Sequence, residues 1–271
     1  MGLQINKPLP EADMRFIAEH VDVGKLRSMY GVITGATGWF GSWICEALDY
    51  MGCKYQKVDT RKLKPLQCDY CIQLAPGDPR ELIYYLKKTD VEHVLFVSSG
   101  SVYDSEQTSY SIEKQDGENA FIESGLPVNI ARCFSFTGAG VCQKPLVMGD
   151  FINDCIYGEP LEVYNGGKSI RTYMYMSDLV IWLLAILLSE KGCVYDVGGN
   201  EPLTILQLAE KVNAHFGNRN GILLDDKYYD HEPRPNYVPN LKPAYEMGLR
   251  VLTDLDTAIE KTIEWEINNA S

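Results

Sequence analysis

The segment that most restricts the fold of this chain is a strand that enters a glycine turn and leaves it as a helix. Tyr30 to Thr34 is a short β-branched run, and Ser42 to Met51 has the apolar spacing of a helix. Glycines between them permit a tight turn and let backbone N–H groups at the helix start approach a pyrophosphate. The pattern predicts a dinucleotide-binding turn whose candidate contacts are Gly35, Gly38, Trp39, Phe40 and Gly41.

Further strands and helices alternate along the chain, which predicts an α/β fold with a doubly wound parallel (Rossmann) sheet. Only about ten residues separate the second and third predicted strands, so one crossover is expected to be trimmed. We expect an N-terminal helical extension at 1–29 and a dinucleotide-binding domain at 30–145, to which 171–200 return. A smaller, discontinuous C-terminal substrate-binding lobe is expected at 146–170 and 201–271. The predicted strands are 52–59, 68–75, 91–97, 127–134, 161–164 and 194–197; the predicted helices are 79–88, 110–124, 148–157, 177–188 and 253–267.

Composition restricts the partners. The formal net charge of −12 opposes binding to nucleic acid or to an anionic membrane, because both need a clustered cationic surface. The longest apolar run, 179–188, is too short to span a bilayer, and the N-terminal residues lack the pattern of a signal peptide, so a cytoplasmic location is expected. The eight cysteines are expected to be reduced thiols, and the single Cys68-x-x-Cys71 lacks the second pair that a zinc site needs; no metal is expected.

An acid and a cation follow the second predicted strand. Asp59 comes eighteen residues after Gly41, where a carboxylate can bind the ribose diol of an adenosine, and this favours NAD. Arg61 and Lys62 follow directly, and a cation there can instead receive the 2′-phosphate of NADP. We expect NAD and keep NADP open.

A Tyr-x-x-x-Lys pair places both side chains on one face of a helix, where the ammonium favours the phenolate. The spacing alone selects nothing, because it occurs four times, at Tyr50/Lys54, Tyr84/Lys88, Tyr110/Lys114 and Tyr164/Lys168. The place of each pair in the predicted fold selects Tyr110. Of the four tyrosines, only Tyr110 directly follows a loop that leaves the carboxyl end of a strand, and ligands of parallel sheets bind at these ends. That loop carries Ser99 and Ser101, whose hydroxyls can hydrogen-bond a substrate hydroxyl.

The order of these motifs resembles the extended short-chain dehydrogenase/reductases, specifically the nucleotide-sugar epimerases, dehydratases and decarboxylases, over residues 30–265. The resemblance implies that Tyr110 is the acid/base for a sugar hydroxyl, that Lys114 binds the nicotinamide ribose and that Ser99 is the catalytic serine. It also implies backbone contacts to the cofactor at Ala75 and Cys133. The segments that carry the resemblance are 34–41, 73–76, 98–103, 110–114, 126–132 and 171–178.

The resemblance further implies that the substrate is a nucleotide-diphosphate sugar, whose phosphates are bound by Arg171 and Arg234. Guanidinium groups suit phosphate geometry and explain how an acidic protein can bind an anion locally. A homodimer is implied through the helix at 79–88 and the helix that carries Tyr110. Ser135 stands where the family commonly has Asn, which leaves one substrate contact open.

One departure from the family bears on the reaction. Dehydratases that resemble this chain carry Asp-Glu directly after the catalytic serine and decarboxylases carry Glu, whereas this chain has Gly100 and Ser101. Neither residue can act as a carboxylate acid or base. The sequence therefore favours an NAD-dependent 4-epimerase that works through a transient 4-keto sugar. A nucleotide-ketosugar reductase, a 4,6-dehydratase or decarboxylase-like enzyme, and a non-catalytic dinucleotide-binding protein remain the alternatives.

Overall fold

A computed structural model describes residues 7–104, 107–225 and 236–269. The helices are α1 Glu11–His20, α2 Val23–Arg27, α3 Trp39–Tyr50, α4 Arg80–Leu86, α5 Ser109–Ser124, α6 Val147–Tyr157, α7 Met176–Leu188, α8 Ile205–His215, α9 Lys242–Glu246 and α10 Leu255–Asn269. The strands are β1 Tyr30–Thr34, β2 Lys54–Val58, β3 Tyr70–Gln73, β4 His93–Ser99, β5 Val128–Cys133, β6 Phe136–Thr137, β7 Leu161–Tyr164, β8 Ile170–Arg171, β9 Met174–Tyr175, β10 Val194–Val197, β11 Leu203–Thr204 and β12 Ile222–Asp225.

The central element is a six-stranded sheet in the order β2-β1-β3-β4-β5-β10, and all five neighbouring pairs are parallel. Strands β3 and β4 are buried along their whole length, as strands covered on both faces must be. The chain runs outward from β1 to β2 and then returns to the other side of β1 at β3. This reversal makes the carboxyl ends of β1 and β3 the place where such sheets bind ligands. The predicted α/β fold is confirmed.

The crossover from β2 to β3 is short. It contains the 3-10 helix Thr60–Lys62 and no α-helix, so β2 forms one edge of the sheet. The N-terminal extension forms α1 and α2, of which α1 packs on α3. Met14, Ile17 and Leu26 are buried there, and the backbone N–H of Leu9 donates to Glu46 Oε1 at 2.9 Å.

The chain divides into two compact units. The first comprises Met1–Cys133, Ser177–Val197 and Leu241–Arg250; the second comprises Phe134–Met176, Gly198–Asn240 and Val251–Ser271. The first break therefore follows Cys133, where β5 ends, whereas the sequence-based division placed it at 145. The returning segment begins at Ser177, near the start of α7, rather than at 171, and 241–250 belong to the first unit rather than to the expected lobe.

Among its described residues, the second unit contains three two-stranded sheets and the helices α6, α8 and α10. The strand pairs are β6 with β9, β7 with β12, and β8 with β11. Glu266 of α10 accepts hydrogen bonds from the backbone N–H groups of Gly140 (2.9 Å) and Cys142 (3.3 Å), and Thr137 Oγ1 lies 3.1 Å from Thr262 Oγ1. Buried contacts of α10 thus fix the loop that follows β6. Within the described residues, no helix has both the length and the apolar character needed to cross a membrane.

Candidate active site

The glycine turn between β1 and α3 has backbone geometry that side chains would not permit. Gly35 has φ +62°, and a Cβ there would lie 2.8 Å from the backbone nitrogen of Ala75. A Cβ at Gly41 would lie 2.2 Å from the carbonyl oxygen of Gly35. Gly38 precedes α3 without a side chain to cap it, and the first turn of α3 carries no acid. The start of α3 therefore has the geometry and the electrostatics that favour an anion.

A hydrogen-bond network fixes the carboxyl end of β3 beside this turn. Thr34 Oγ1 accepts from the backbone N–H groups of Leu74 (3.1 Å) and Ala75 (3.2 Å) and donates to the side chain of Gln73. Gln73 Nε2 donates in turn to the carbonyl oxygen of Ala75 at 3.0 Å. The candidate cofactor contact Ala75 is thus placed next to Gly35, although 34 and 75 are far apart in sequence.

Asp59 and Arg61, the two residues that the sequence proposes for opposite cofactors, bind each other. Arg61 Nε and Nη2 donate to the two oxygens of Asp59 at 2.8 and 2.9 Å, and the backbone N–H of Arg61 donates to Oδ1 at 3.0 Å. These hydrogen bonds lower the pKa of Asp59 to about 2, so its carboxyl is ionised at neutral pH. Both groups lie at the surface just beyond the carboxyl end of β2.

Helix α5 begins with a capping box that determines where Tyr110 lies. Thr108 Oγ1 accepts from the backbone N–H of Ser111 at 3.1 Å, and Ser111 Oγ accepts from the backbone N–H of Thr108 at 2.8 Å. The cap places Tyr110 in the first turn of the helix and Lys114 one turn later. Among the four tyrosine–lysine pairs, this pair alone has both residues inside one helix, since Tyr50, Tyr84 and Tyr164 each lie on an element that ends before the lysine.

Tyr110 and Lys114 have shifted pKa values. Burial around the phenol raises the pKa of Tyr110, and a side-chain hydrogen bond with Ser99 acts in the opposite direction. Burial lowers the pKa of Lys114, whose Nζ donates to the carbonyl oxygen of Val97 at 3.0 Å and lies 5.8 Å from the centre of the Tyr110 ring.

The turn after β4 brings Ser99 and Ser101 together. Ser99 Oγ accepts from the backbone N–H of Ser101 at 3.2 Å, at the start of the 3-10 helix Gly100–Tyr103. The Ser101 hydroxyl is buried and has no hydrogen-bond partner in the structure. An unpaired buried hydroxyl carries a desolvation cost that a bound ligand can relieve. Cys133, at the end of β5, is buried, and burial raises the pKa of its thiol to about 12.

An ion pair below this turn was not predicted as part of the site. Arg132 Nε and Nη2 donate to the two carboxylate oxygens of Glu118 at 3.0 and 2.6 Å. Glu118 follows Lys114 by one helical turn on α5, a spacing visible in the sequence, but its partner on β5 is visible only in the fold. The residues around the pair are Ser98, Tyr103 and Asp196.

The remaining predicted substrate contacts belong to the second unit. Arg171 lies on β8, where its Nη1 donates to the carbonyl oxygen of Ile170 at 2.9 Å and its guanidinium lies 5.4 Å from the centre of the Tyr237 ring. The carbonyl oxygen of Ser135 accepts from the backbone N–H of Met174 at 3.0 Å. Arg234 lies outside the described residues. No cluster of three or more His, Cys, Asp or Glu side chains suited to a metal ion occurs within 7–104, 107–225 and 236–269.

The sheet order, the glycine turn and the helix-borne tyrosine–lysine pair define an α/β protein of the extended short-chain dehydrogenase/reductase class. Residues 70–198 match the model of the NAD dependent epimerase/dehydratase family. The resemblance expected from the sequence is confirmed.

Curated relatives match about half of the chain. UDP-glucuronic acid decarboxylase 1 of Danio rerio is 28% identical over 145 residues, which are 53% of this chain and 34% of the relative. The UDP-N-acetyl-alpha-D-glucosaminuronate decarboxylase of Bacillus cytotoxicus is 30% identical over 156 residues, covering 54% of this chain and 48% of the relative. The matches thus span less than half of these relatives.

Solved structures match most of the chain. MoeE5 in complex with UDP-glucose and NAD superposes with a TM-score of 0.76 at 19% identity, covering 89% of this chain and 99% of that one. The UDP-N-acetylglucosamine 4-epimerase of Bacillus cereus gives a TM-score of 0.71 at 17% identity, covering 88% and 99%. At these identities the likeness shows the fold alone.

Proposed function

We propose that this chain is an NAD-dependent nucleotide-sugar 4-epimerase. The observation that carries the proposal is the arrangement of Ser99, Tyr110 and Lys114 at the carboxyl end of β4, with Gly100 and Ser101 where an elimination catalyst would need carboxylates. The relatives named above act on nucleotide sugars, and MoeE5 binds both UDP-glucose and NAD. These names support the substrate class, and the residues of this chain support the type of reaction.

The residues around the glycine turn fit a dinucleotide. Gly35 and Gly41 permit the tight backbone packing of the turn, since a Cβ at either position would clash with neighbouring backbone atoms, and the uncapped start of α3 suits a pyrophosphate. Trp39 and Phe40 form the first turn of α3. Ala75 and Cys133 are proposed to contact the cofactor, and Asp59 is proposed to bind a ribose diol. When bound, NAD supplies the hydride acceptor and donor.

In the proposed mechanism Tyr110 accepts the proton of the sugar 4-hydroxyl while Ser99 hydrogen-bonds the same oxygen. Lys114 is proposed to bind the nicotinamide ribose, where its charge would favour the phenolate once substrate and cofactor displace water. The unpaired Ser101 hydroxyl is available to a second substrate oxygen. Tyr110 returns its proton to the 4-oxygen after the keto-sugar has rotated, so no net proton is gained or lost. Arg171 and Arg234 are proposed to bind the diphosphate, and Ser135 a further substrate oxygen.

A decarboxylase is the second candidate, because the curated relatives reported above are uronic acid decarboxylases. Oxidation at C4 of a uronic acid produces a ketone β to the carboxylate, and such acids lose CO2 readily. The same three side chains can perform that oxidation. The absence of a carboxylate at both Gly100 and Ser101 argues against this candidate, since decarboxylases that resemble this chain carry a Glu in this pair.

The proposal is tested by identifying the nucleotide released from freshly purified protein and by incubating the protein with UDP-glucose, UDP-N-acetylglucosamine and UDP-glucuronic acid. We expect bound NAD and formation of the 4-epimer, detected by proton NMR without net NADH. Release of labelled CO2 from UDP-glucuronic acid would show that the chain is a decarboxylase and not a 4-epimerase. Nucleotide sites that are empty after purification and bind NADPH tightly would indicate the ketosugar reductase. Binding without turnover of any substrate would indicate a non-catalytic dinucleotide-binding protein.

Cofactor preference gives a separate prediction. Exchange of Asp59 for Ala is expected to weaken NAD binding by about tenfold or more, because hydrogen bonds to a charged acceptor are worth about 1.5–3 kcal/mol. NADP binding should be unchanged or tighter, since the exchange releases Arg61 from its carboxylate partner. Isothermal titration with both nucleotides measures the ratio of affinities.

The matched control for this prediction is Asp78→Ala. Asp78 and Arg80 form the same kind of surface pair two residues apart, with Nη1 at 2.9 Å from Oδ2. This variant should leave the ratio of NAD to NADP affinity unaltered. Equal losses for both nucleotides in the Asp59→Ala protein would show that Asp59 does not bind the ribose diol.

The homodimer implied by the family resemblance is proposed to form through α4 and α5. Ile112 and Ile122 of α5 are exposed, at 43% and 59%, and we propose that the dimer contact buries both side chains. The Ile112→Glu/Ile122→Glu protein is expected to sediment as a monomer while the unchanged protein sediments as a dimer. Sedimentation of both proteins at the same rate would contradict the proposed dimer contact through α4 and α5.

A further inference from the structure

The Glu118–Arg132 ion pair is more buried than an ordinary surface pair. The Glu118 side chain is 2% exposed and that of Arg132 is 19% exposed, and two nitrogen–oxygen contacts join them. Burying two charges costs desolvation free energy, and apolar side chains of similar volume often stabilise a core as well as a buried ion pair does. Stability alone is therefore a weak explanation for this pair. Its neighbours indicate another role.

The pair is bonded to both ends of the turn that carries Ser99. At the beginning of the turn, Ser98 Oγ donates to Glu118 Oε1 at 2.5 Å. At its end, Arg132 Nη1 donates to the Tyr103 hydroxyl at 2.6 Å. The Tyr103 hydroxyl donates in turn to Asp196 Oδ1 at 3.0 Å, and the Arg132 guanidinium lies 4.7 Å from the centre of the Tyr103 ring. Ser99, Gly100 and Ser101 lie between these two attachments.

The same pair belongs to the helix of the tyrosine and the lysine. Tyr110, Lys114 and Glu118 are spaced four residues apart on α5, so they share one face of the helix. Arg132 lies on β5 opposite Ser98 of β4, and Asp196 of β10 lies opposite Arg132. The ion pair therefore connects α5, the turn after β4 and the carboxyl ends of two further strands.

We propose that Glu118 and Arg132 are positioning residues that fix the Ser99–Ser101 turn against Tyr110 through their bonds to Ser98 and Tyr103. Their proposed role is to act through these neighbouring side chains and not by contact with substrate or cofactor. The effect of this positioning on catalysis rests on the proposed function, in which Ser99 and Tyr110 act on one substrate oxygen. The positioning itself is a property of the protein alone, so it can be measured without turnover.

The informative variant is Arg132→Lys. It keeps a positive charge beside Glu118, but a single ammonium cannot reach both carboxylate oxygens and the Tyr103 hydroxyl in the geometry of the guanidinium. Tyr103→Phe breaks the attachment at the far end of the turn alone. Val91→Ala, which truncates a buried side chain of the same unit outside this network, is the control for loss of stability.

The first readout is the tyrosine spectrum of protein labelled with 13C at the tyrosine ζ carbon, in which Tyr110→Phe identifies the Tyr110 signal. Loss of the Ser99 hydrogen bond in Ser99→Ala moves this signal, and we expect Arg132→Lys to move it in the same direction and by a similar amount. In the Ser99→Ala/Arg132→Lys protein the shift should not exceed that of Ser99→Ala alone. Val91→Ala should leave it in place.

The second readout is single-turnover hydride transfer, followed at 340 nm. Arg132→Lys should slow it about a hundredfold, the expected cost of a misplaced catalytic group, with the Kd for NAD changed by less than about twofold. If the unchanged protein is inactive, the proposed function is refuted. The positioning by Glu118 and Arg132 is then tested by the tyrosine spectrum alone. A Tyr110 signal unmoved by Arg132→Lys, or shifts that add in the double variant, would show that the pair is only structural.

Discussion

Replacement of Tyr110 by Phe is expected to reduce turnover of a nucleotide sugar by about 10²- to 10⁴-fold, the usual contribution of a positioned acid/base. The phenol is the only side chain in the proposed mechanism that accepts and returns the sugar proton, and Phe keeps its shape. The affinity for NAD should be little changed. Turnover is measured by proton NMR of the products and affinity by titration calorimetry.

The pH dependence makes this prediction sharper. Burial raises the pKa of Tyr110, so below that pKa the phenol is mostly neutral and the reactive phenolate is scarce. The rate of the oxidation step in the unchanged protein should therefore rise with pH, and this rise should disappear in Tyr110→Phe. Tyr84→Phe is the matched control, since Tyr84 has the same spacing to a lysine and accepts a 2.5 Å hydrogen bond from Lys88 Nζ at an exposed site. Full activity of Tyr110→Phe would refute the assignment.

Gly41→Ala is expected to abolish measurable NAD binding and to destabilise the fold. The new Cβ would lie 2.2 Å from the carbonyl oxygen of Gly35 and 2.7 Å from the Cα of Ala36, and neither atom can move away by a side-chain rotation. The turn must open, which costs about 1–3 kcal/mol by analogy with overpacked cores and displaces the backbone N–H groups proposed to bind pyrophosphate. Urea unfolding gives the stability, and titration calorimetry gives the affinity.

Gly24→Ala provides the comparison for this prediction. A Cβ at Gly24, within α2, would meet only Asp22 Oδ1 at 3.5 Å, an ordinary van der Waals contact. Because Ala is the better helix former, this variant should be as stable as the unchanged protein or slightly more so. A Gly41→Ala protein that binds NAD normally would show that the dinucleotide does not approach this turn.

The sheet was predictable because its signal is local. β-branched runs, the glycine turn and the spacing of helices specify a parallel α/β fold, and the short gap between β2 and β3 predicts the trimmed crossover. The bounds were less accurate, because caps determine them. The last helix begins at Leu255 rather than at 253, since Asp254 accepts the backbone N–H of Thr257 at 2.9 Å and so occupies the capping position.

The candidate site was predictable only in part. Spacing could not choose among four tyrosine–lysine pairs, and the choice of Tyr110 came from its place after a strand. The partners of Glu118 lie on β4 and β5, so their contacts depend on strand order, which no local pattern contains. The Asp59–Arg61 pair was also missed, because the two side chains were considered as ligands of opposite cofactors rather than of each other. The roles of the site residues remain predictions.

Because the crossover from β2 to β3 is short, β2 is an edge strand of the sheet in the first unit. Among the described residues, no strand pairs with its outer side. Unpaired edge strands can pair with strands of other molecules, and this pairing leads to aggregation. Lys54 and Lys57 are exposed on β2, and because successive side chains point to opposite faces, each face of the strand carries one ammonium group. A strand arriving from another copy would have to desolvate both charges. The two lysines of β2 thus protect this edge of the sheet against pairing with a strand of a second copy.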